Sequence, residues 1–204
     1  MSKVLCTGAE VRMRNFCTML WEEDPTPPEL IDCDKCGLYK HGTRMVWGEG
    51  NPNSSIMVLL DNPGAREDKD GNSFVCGTRQ TLQEAANTVG FDPRDLYVTY
   101  ILKRRPVRSY DKDETRTICM VHLEQQLQEM KPKYIFCLGN VAVQSFFEDS
   151  TKDVKSLRGK LHSVKGYKVA VAYHPLAVRR RPNLWSYFLE DWVVLAEHYF
   201  QNKG

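Results

Sequence analysis

The chain has 204 residues, long enough to bury a full core in a single domain. Its 42% hydrophobic and 26% charged residues sit near globular averages, which excludes wholesale disorder. A formal net charge of +2 does not by itself point to nucleic acid, so the placement of the charge matters more than its sum.

Residues 1–32 read as an N-terminal helical extension to a single domain spanning 1–204, with Phe16, Leu20 and Trp21 on one helical face. Asp24-Pro25-Thr26-Pro27-Pro28 breaks that helix, because proline forbids its continuation. The N-terminus lacks an apolar signal region, and no apolar stretch approaches the roughly 20 residues of a membrane span. A soluble, cytoplasmic protein is therefore expected. Seven cysteines are an odd number, and most lie in apolar segments, against a secreted disulfide framework. Cys6, Cys17 and Cys137 read as small buried hydrophobes.

Further along, strands and helices alternate. Ser55–Leu60 is a short apolar run of the kind buried on both faces, and Thr78–Val89 is a helix ending at Gly90. Leu96–Leu102 is a strand rich in β-branched and aromatic residues. Asp113–Met130 is an amphipathic helix, with Ile118, Leu123, Leu127 and Met130 near helical spacing. Tyr134–Leu138 is a strand, Asn140–Phe147 a helix and Val169–Ala172 a strand. Leu184–Phe200 is a closing helix with Trp185, Phe188, Trp192 and Leu195 inward. This alternation predicts an α/β fold, a three-layer αβα sandwich around a mainly parallel sheet.

Four polar segments each follow a predicted strand: Asp61-Asn62-Pro63-Gly64, Lys103-Arg104-Arg105-Pro106, Gly139-Asn140 and His174-Pro175. Open α/β sheets bind ligands at the carboxyl ends of their strands, so these segments are expected to line one crevice. The basic charge is clustered in Lys103-Arg104-Arg105 with Arg108 and in Arg179-Arg180-Arg181. A basic run is as often a solvated face as a binding one, but two that each follow a strand point to a polyanion. A carboxylate at a strand edge positions water or stabilises a cation, and a histidine opposite it donates to a developing oxyanion. The apolar tip at Pro175-Leu176 with arginines behind it suits a loop that wedges into a duplex while gripping phosphates.

The motifs together resemble those of the iron–sulfur branch of the uracil-DNA glycosylase superfamily, usually called family 4, from Cys33 to about Trp192. The matching segments include Cys33-x-x-Cys36-x-Leu38-Tyr39-Lys40, Val46-Trp47-Gly48-Glu49-Gly50-Asn51-Pro52 and Ile56-Met57-Val58. They continue with Pro63-Gly64-x-x-Glu67-Asp68-x-x-Gly71-x-x-Phe74-Val75, Lys103-x-Arg105-Pro106 and Pro132-Lys133-Tyr134-Ile135. The last are Leu138-Gly139-Asn140-x-Ala142, Leu157-Arg158-Gly159 and Tyr173-His174-Pro175-x-Ala177.

The resemblance implies hydrolysis of an N-glycosidic bond in single- or double-stranded DNA, after the base is flipped out of the stack. It implies that Asp61, Asn62 and Pro63 border the flipped base and the sugar carbon. Glu67 becomes a second carboxylate near the sugar, Phe74 stacks on the base, and His174 binds a base carbonyl. Arg105 and the loop from Leu176 through Arg179, Arg180 and Arg181 contact DNA.

Four departures separate this chain from the family pattern. Asp61-Asn62 stands where Glu-Ala is usual, leaving either side chain to orient the attacking water. Tyr100 replaces the base-reading asparagine, and Cys76 and Arg79 replace glycines of the same pocket wall. The family's cluster cysteines align with Cys33, Cys36, Arg104 and Cys119, so one of four is missing and arginine cannot ligate iron. Either Cys76, His41 or His122 supplies a fourth ligand, or the iron–sulfur cluster is lost. Two substrates fit the resemblance: uracil, or a hydroxymethylated or glucosylated phage pyrimidine removed in anti-phage defence. Tyr100, Asn62, Cys76 and Arg79 favour the second. A non-catalytic DNA protein that senses a modified base is the reading of a different class.

Overall fold

Ile56–Leu60 and Tyr134–Leu138 are uninterrupted apolar runs, which only a strand covered on both faces can bury, and both are strands with every residue buried. The structure, a computed structural model, describes residues 20–69 and 77–202. In chain order its elements are β1 (Glu23–Asp24), β2 (Gly48–Gly50), β3 (Ile56–Leu60), α1 (Thr78–Thr88), β4 (Leu96–Tyr100) and α2 (Lys112–Met130). There follow β5 (Tyr134–Leu138), α3 (Asn140–Phe147), α4 (Val154–Leu157), β6 (His162–Val164), β7 (Tyr167–Ala172), α5 (Pro175–Arg180) and α6 (Trp185–Gln201).

Among the described residues these strands form one seven-stranded sheet, ordered β1-β2-β4-β3-β5-β7-β6. The inner four, β4-β3-β5-β7, are parallel, as expected. Both edges turn antiparallel, through β2 and β1 on one side and β6 on the other. These edge strands have only two or three residues, too short for the periodicity that would have announced them.

Side chains alternate across the sheet with a period of two. Ile56, Val58 and Leu60 of β3 join Phe136, Phe188 and Trp192 in one apolar layer beneath α1 and α6. Met57 and Leu59 join Ile135, Cys137, Leu123 and Phe146 in the other, beneath α2 and α3. Trp192 anchors the first layer edge-on to Phe136, with ring centroids 4.8 Å apart at 90°. This is the three-layer αβα arrangement.

Three expectations need correction. The helix read over residues 1–32 is absent from its described part: residues 23–24 form β1 and Pro28–Leu30 a single 3-10 turn. Residues 1–19, with Phe16, Cys6 and Cys17, lie outside the described residues. Arg44 clamps β1 by a bidentate pair with Glu23, at 2.5 and 2.6 Å, which a sequence pattern does not reveal.

The second correction concerns α2, whose buried stripe is Thr115, Cys119, His122, Leu123, Gln126 and Leu127, with Ile118 and Met130 only half-buried. Gln126 donates to the Trp47 carbonyl and the Tyr97 hydroxyl, both at 3.0 Å, so burial leaves its amide satisfied. The third concerns Leu176–Arg181, expected as a loop. It is the helix α5, started by Pro175 at its first position and capped by His174, whose side chain accepts the Leu176 N–H at 3.1 Å. No helix among the described residues is long and apolar enough to cross a membrane.

Candidate active site

The carboxyl ends of β3, β5 and β7 converge, and there the expected crevice takes shape. Asp61 follows β3 and His174 follows β7, and His174 Nε2 lies 3.3 Å from Asp61 Oδ1. Because His174 Nδ1 accepts the Leu176 N–H, the ring's proton sits on Nε2 and points at the carboxylate. Gly139, after β5, closes the third side. Its φ of +92° favours glycine, and a Cβ there would lie 2.9 Å from the His174 Cβ. Its N–H also ties it to the Ala172 carbonyl at 2.9 Å. Asn140 is structural: its Oδ1 accepts the Val154 N–H at 3.0 Å.

Burial opposes ionisation of Asp61, but the hydrogen bond from His174, with the Asn62 N–H, holds its carboxyl below the usual carboxylate range. That N–H reaches Asp61 Oδ1 at 2.8 Å. The Asn62 side chain donates to the Pro63 carbonyl at 2.8 Å, while its own Oδ1 accepts nothing among the described residues. A fixed carboxylate and a free amide oxygen therefore stand side by side, and either can orient a water.

A buried ionic group extends the site along β2 and α1. Glu67, Arg79 and Glu49 are 9%, 7% and 1% exposed. Arg79 Nε donates to Glu49 Oε1 at 2.8 Å, its Nη2 also pairs with Glu49, and Nε lies 3.5 Å from Glu67 Oε1. Glu67 in turn crowds Gly64: a Cβ at Gly64 would sit 2.5 Å from Glu67 Oε2. Burial pushes Glu49 up to about 7, against the pull of Arg79. Tyr100, at the end of β4, is 2% exposed, and burial followed by Glu49 and Glu67 raises its phenol well above the usual value. Glu49 went unassigned in the sequence. The available signal was Arg79, spaced on α1 to share a face with Leu82 and Ala86, where a cation requires a buried partner.

The expected DNA contacts divide. Leu176, Arg179, Arg180 and Arg181 are all exposed on or just after α5, beside His174. Arg179 reaches the Gly77 carbonyl at 3.5 Å, which sets α5 against the start of α1. Arg105 lies on the rim, 3.9 Å from Asp68. Lys103 and Arg104 do not line the crevice. Lys103 turns into the opposite layer, where Nζ meets Thr99 Oγ1 at 2.6 Å and Gln126 Oε1 at 2.5 Å over the Trp47 ring. Burial pulls it down to about 7. The turn after β4 sends each of these consecutive basic residues to a different partner. Phe74 and Cys76 lie outside the described residues.

The residues expected at an iron–sulfur cluster do not fit one. At the fourth position, Arg104 Nη1 donates to the Thr43 carbonyl at 2.5 Å and Nη2 to the Ile31 carbonyl at 2.6 Å. A guanidinium has no lone pair to offer iron. Cys33 Sγ lies 3.3 Å from His122 Nε2, and Cys36 and Cys119 perturb each other, which lowers the Cys36 thiol to about 6 and raises that of Cys119. Among the described residues, no three His, Cys, Asp or Glu side chains are arranged to hold a metal ion. His41, another candidate ligand, accepts the Val107 N–H at 3.2 Å and packs on Tyr110.

The family model of the uracil DNA glycosylase superfamily matches residues 47–196, which hold every described element of the site. The chain is 33% identical over 177 residues to the Type-4 uracil-DNA glycosylase of Archaeoglobus fulgidus, covering 83% of this chain and 89% of that protein. It is 34% identical over 177 residues to the Type-4 uracil-DNA glycosylase of Pyrobaculum aerophilum, covering 81% and 89%. The corresponding protein of Thermotoga maritima is 30% identical over 176 residues, covering 84% and 91%.

Proposed function

The chain belongs to the uracil DNA glycosylase superfamily, and from that premise we propose that it hydrolyses the N-glycosidic bond of uracil, or of a closely related aberrant pyrimidine, in cytoplasmic DNA. The reaction is monofunctional and leaves an abasic site. The observation that carries this reading is the Asp61–His174 pair, with its proton placed on Nε2 at the carboxyl edge of the sheet.

Breaking the bond from the base nitrogen to the sugar C1′ sends the electron pair to the base. The sugar carbon becomes cationic and the base anionic. Asp61, held ionised, faces the first charge. His174 faces the second: a flipped base whose carbonyl reaches Nε2 takes over the hydrogen bond now directed at Asp61. Water, oriented by Asp61 or by Asn62 Oδ1, then adds to C1′, and its proton passes, directly or through Asp61, to the departing base anion. Leu176 fills the gap left in the stack, and Arg179, Arg180 and Arg181 hold the phosphates. No step passes through an iron–sulfur group.

The buried Arg79 and Tyr100, which stand where the family pattern has a glycine and an asparagine, keep a second substrate in view, a hydroxymethylated or glucosylated pyrimidine. The test is alkali-induced strand cleavage of single- and double-stranded oligonucleotides carrying uracil, 5-hydroxymethyluracil or glucosylated cytosine. His174→Ala should lower single-turnover excision by about 100-fold or more, the usual effect of removing one oxyanion donor. Wild-type rates in both Asp61→Ala and Asn62→Ala would remove the catalytic assignment. Binding without abasic sites on every base would leave the non-catalytic binder instead.

A further inference from the structure

Two segments of chain, 38–46 and 103–110, contain basic and aromatic residues and no acidic one. They leave the carboxyl edge of the sheet side by side. β4 ends next to β3, and the Leu102 N–H donates to the Asp61 carbonyl at 2.9 Å. From there 103–108 runs antiparallel to 40–46, tied at successive steps. The Val46 N–H donates to the Lys103 carbonyl at 2.8 Å, and Arg104 pairs with Met45 as an antiparallel bridge. Thr43 Oγ1 donates to the Arg105 carbonyl at 2.9 Å, and the Val107 N–H to His41 Nδ1 at 3.2 Å. Arg108 Nη1 closes the series on the Lys40 carbonyl at 3.4 Å. The ribbon therefore starts against the turn that holds Asp61 and Asn62, and a chain of that length cannot carry Arg108 more than roughly 20 Å from Leu102.

At the outer end of the ribbon Tyr39, Lys40, Val107 and Arg108 are all exposed. The Tyr39 ring is open to a ligand, with 43% of the residue exposed and the Lys40 ammonium 5.7 Å from the ring centre. Neither Lys40 nor Arg108 has an acidic partner among the described residues, whereas Asp68 is taken by the Arg44 N–H at 3.0 Å and by Arg105. Arg105 stands between this end and the site, since the Asp68 it faces donates its own N–H to the Gly64 carbonyl at 3.1 Å. The arginines of α5 follow β7, three strands away in the order β4-β3-β5-β7, or about 14 Å. The Asp61–His174 pair lies between these two basic surfaces.

We propose that Tyr39, Lys40, Arg105 and Arg108 form a track for single-stranded DNA flanking the flipped nucleotide, with an unpaired base stacked on Tyr39. The proposal rests on the glycosylase reading above, which supplies the strand. An open aromatic ring among cations is how proteins hold single strands: the cations take phosphates and the ring takes the face of a base. A base inside a duplex has both faces covered by its neighbours and offers none to the ring. At 3.4 Å per nucleotide, roughly six nucleotides span the 20 Å of the ribbon. The track therefore holds one flank of the flipped nucleotide, on the side away from α5.

The probes are a long single-stranded oligonucleotide with a central uracil, versions lacking the flank on either side, and the blunt duplex. Affinity, thermal melting and excision are measured for wild type, Tyr39→Ala, Tyr39→Phe and Arg108→Ala. Tyr39→Ala should lose about 10-fold in affinity for the long strand, the weight of one base–aromatic stack, and nothing for the duplex. Tyr39→Phe keeps the ring and should restore the affinity. Arg108→Ala should lower the slope of log affinity against log salt by about 0.7, as one lost phosphate contact on a single strand requires. Removing one flank should weaken wild type and erase the effect of Tyr39→Ala, and removing the other should leave that effect intact. Wild-type affinity of Tyr39→Ala for the long strand, or an equal loss on the duplex, overturns the track and leaves the glycosylase standing. A changed oligomeric state with unchanged DNA affinity overturns it too, and gives the face to a protein contact. Wild-type protein that binds the long strand but releases no pyrimidine takes the glycosylase reading down, while the affinities still decide the track.

Discussion

Replacing Gly139 by alanine perturbs His174, the histidine of the proposed site, without touching a functional group. With φ +92° and ψ 163°, the residue sits in a backbone region essentially reserved for glycine, where an L side chain costs about 1–3 kcal/mol. Its new Cβ would lie 2.9 Å from the His174 Cβ and 3.5 Å from Cδ2, inside van der Waals contact, so one of the two backbones must give way. For a chain of this size, 1–3 kcal/mol corresponds to a fall of roughly 2–12 °C in melting temperature. The catalytic effect should be larger. His174 is held by the Leu176 N–H on one side and Asp61 on the other, and a shift of about 1 Å in such a group typically costs about 100-fold in rate. The assay is single-turnover excision from a uracil oligonucleotide beside a thermal melt. Gly139→Ala with wild-type excision would refute the claim that this approach positions His174. A melting loss far above about 12 °C would show that the glycine serves the fold rather than the site.

Lys103 should give stability an unusual pH dependence. Its folded value, about 7, lies below the ordinary lysine value, so between about pH 7 and 10 the unfolded chain holds a proton that the native one lacks. Stability should therefore rise over that window, by at most about 1.4 kcal/mol per pH unit, and the full penalty should persist below pH 7. Lys103→Met should abolish the slope in denaturant titrations run across it. Purified anaerobically, the protein should contain no iron or acid-labile sulfide. Arg104→Ala should lower the melting temperature while leaving excision near wild type, since Arg104 joins the 31 and 43 segments away from the catalytic pair. Four irons per chain would contradict that account. Arg180→Ala should weaken DNA binding on every sequence and lower the slope of log affinity against log salt by about one, as loss of one phosphate contact requires.

The departures from sequence expectation share a physical origin. The inner strands and the main helices were legible because long apolar runs and helical spacing are local properties of the chain. Asp61, Gly139 and His174 were also expected together, since polar residues directly after parallel strands meet at one edge. What failed was whatever a distant partner decides. Lys103-Arg104-Arg105 reads as one basic patch, yet Gln126 draws the first into the core, the Ile31 and Thr43 carbonyls take the second, and only Arg105 reaches the rim. Cys33-x-x-Cys36 with Cys119 supplies three of the four aligned cluster positions, while the fourth, Arg104, is spent on the Ile31 and Thr43 carbonyls.

By itself the sequence determined the fold class, the order of the central elements and the two residues, Asp61 and His174, to which the proposed chemistry is assigned. These follow from periodicity and from position relative to strand ends, which are set within a few residues of chain. Only the tertiary structure decided the state of those residues. The proton on His174 Nε2 depends on a backbone N–H in the next helix, and the ionisation of Asp61 depends on a histidine more than a hundred residues away. The charge at Arg79 is tolerated because Glu49, on a three-residue strand, folds against it. Electrostatic partners act through space, and a chain read in order does not show which of its charges will meet.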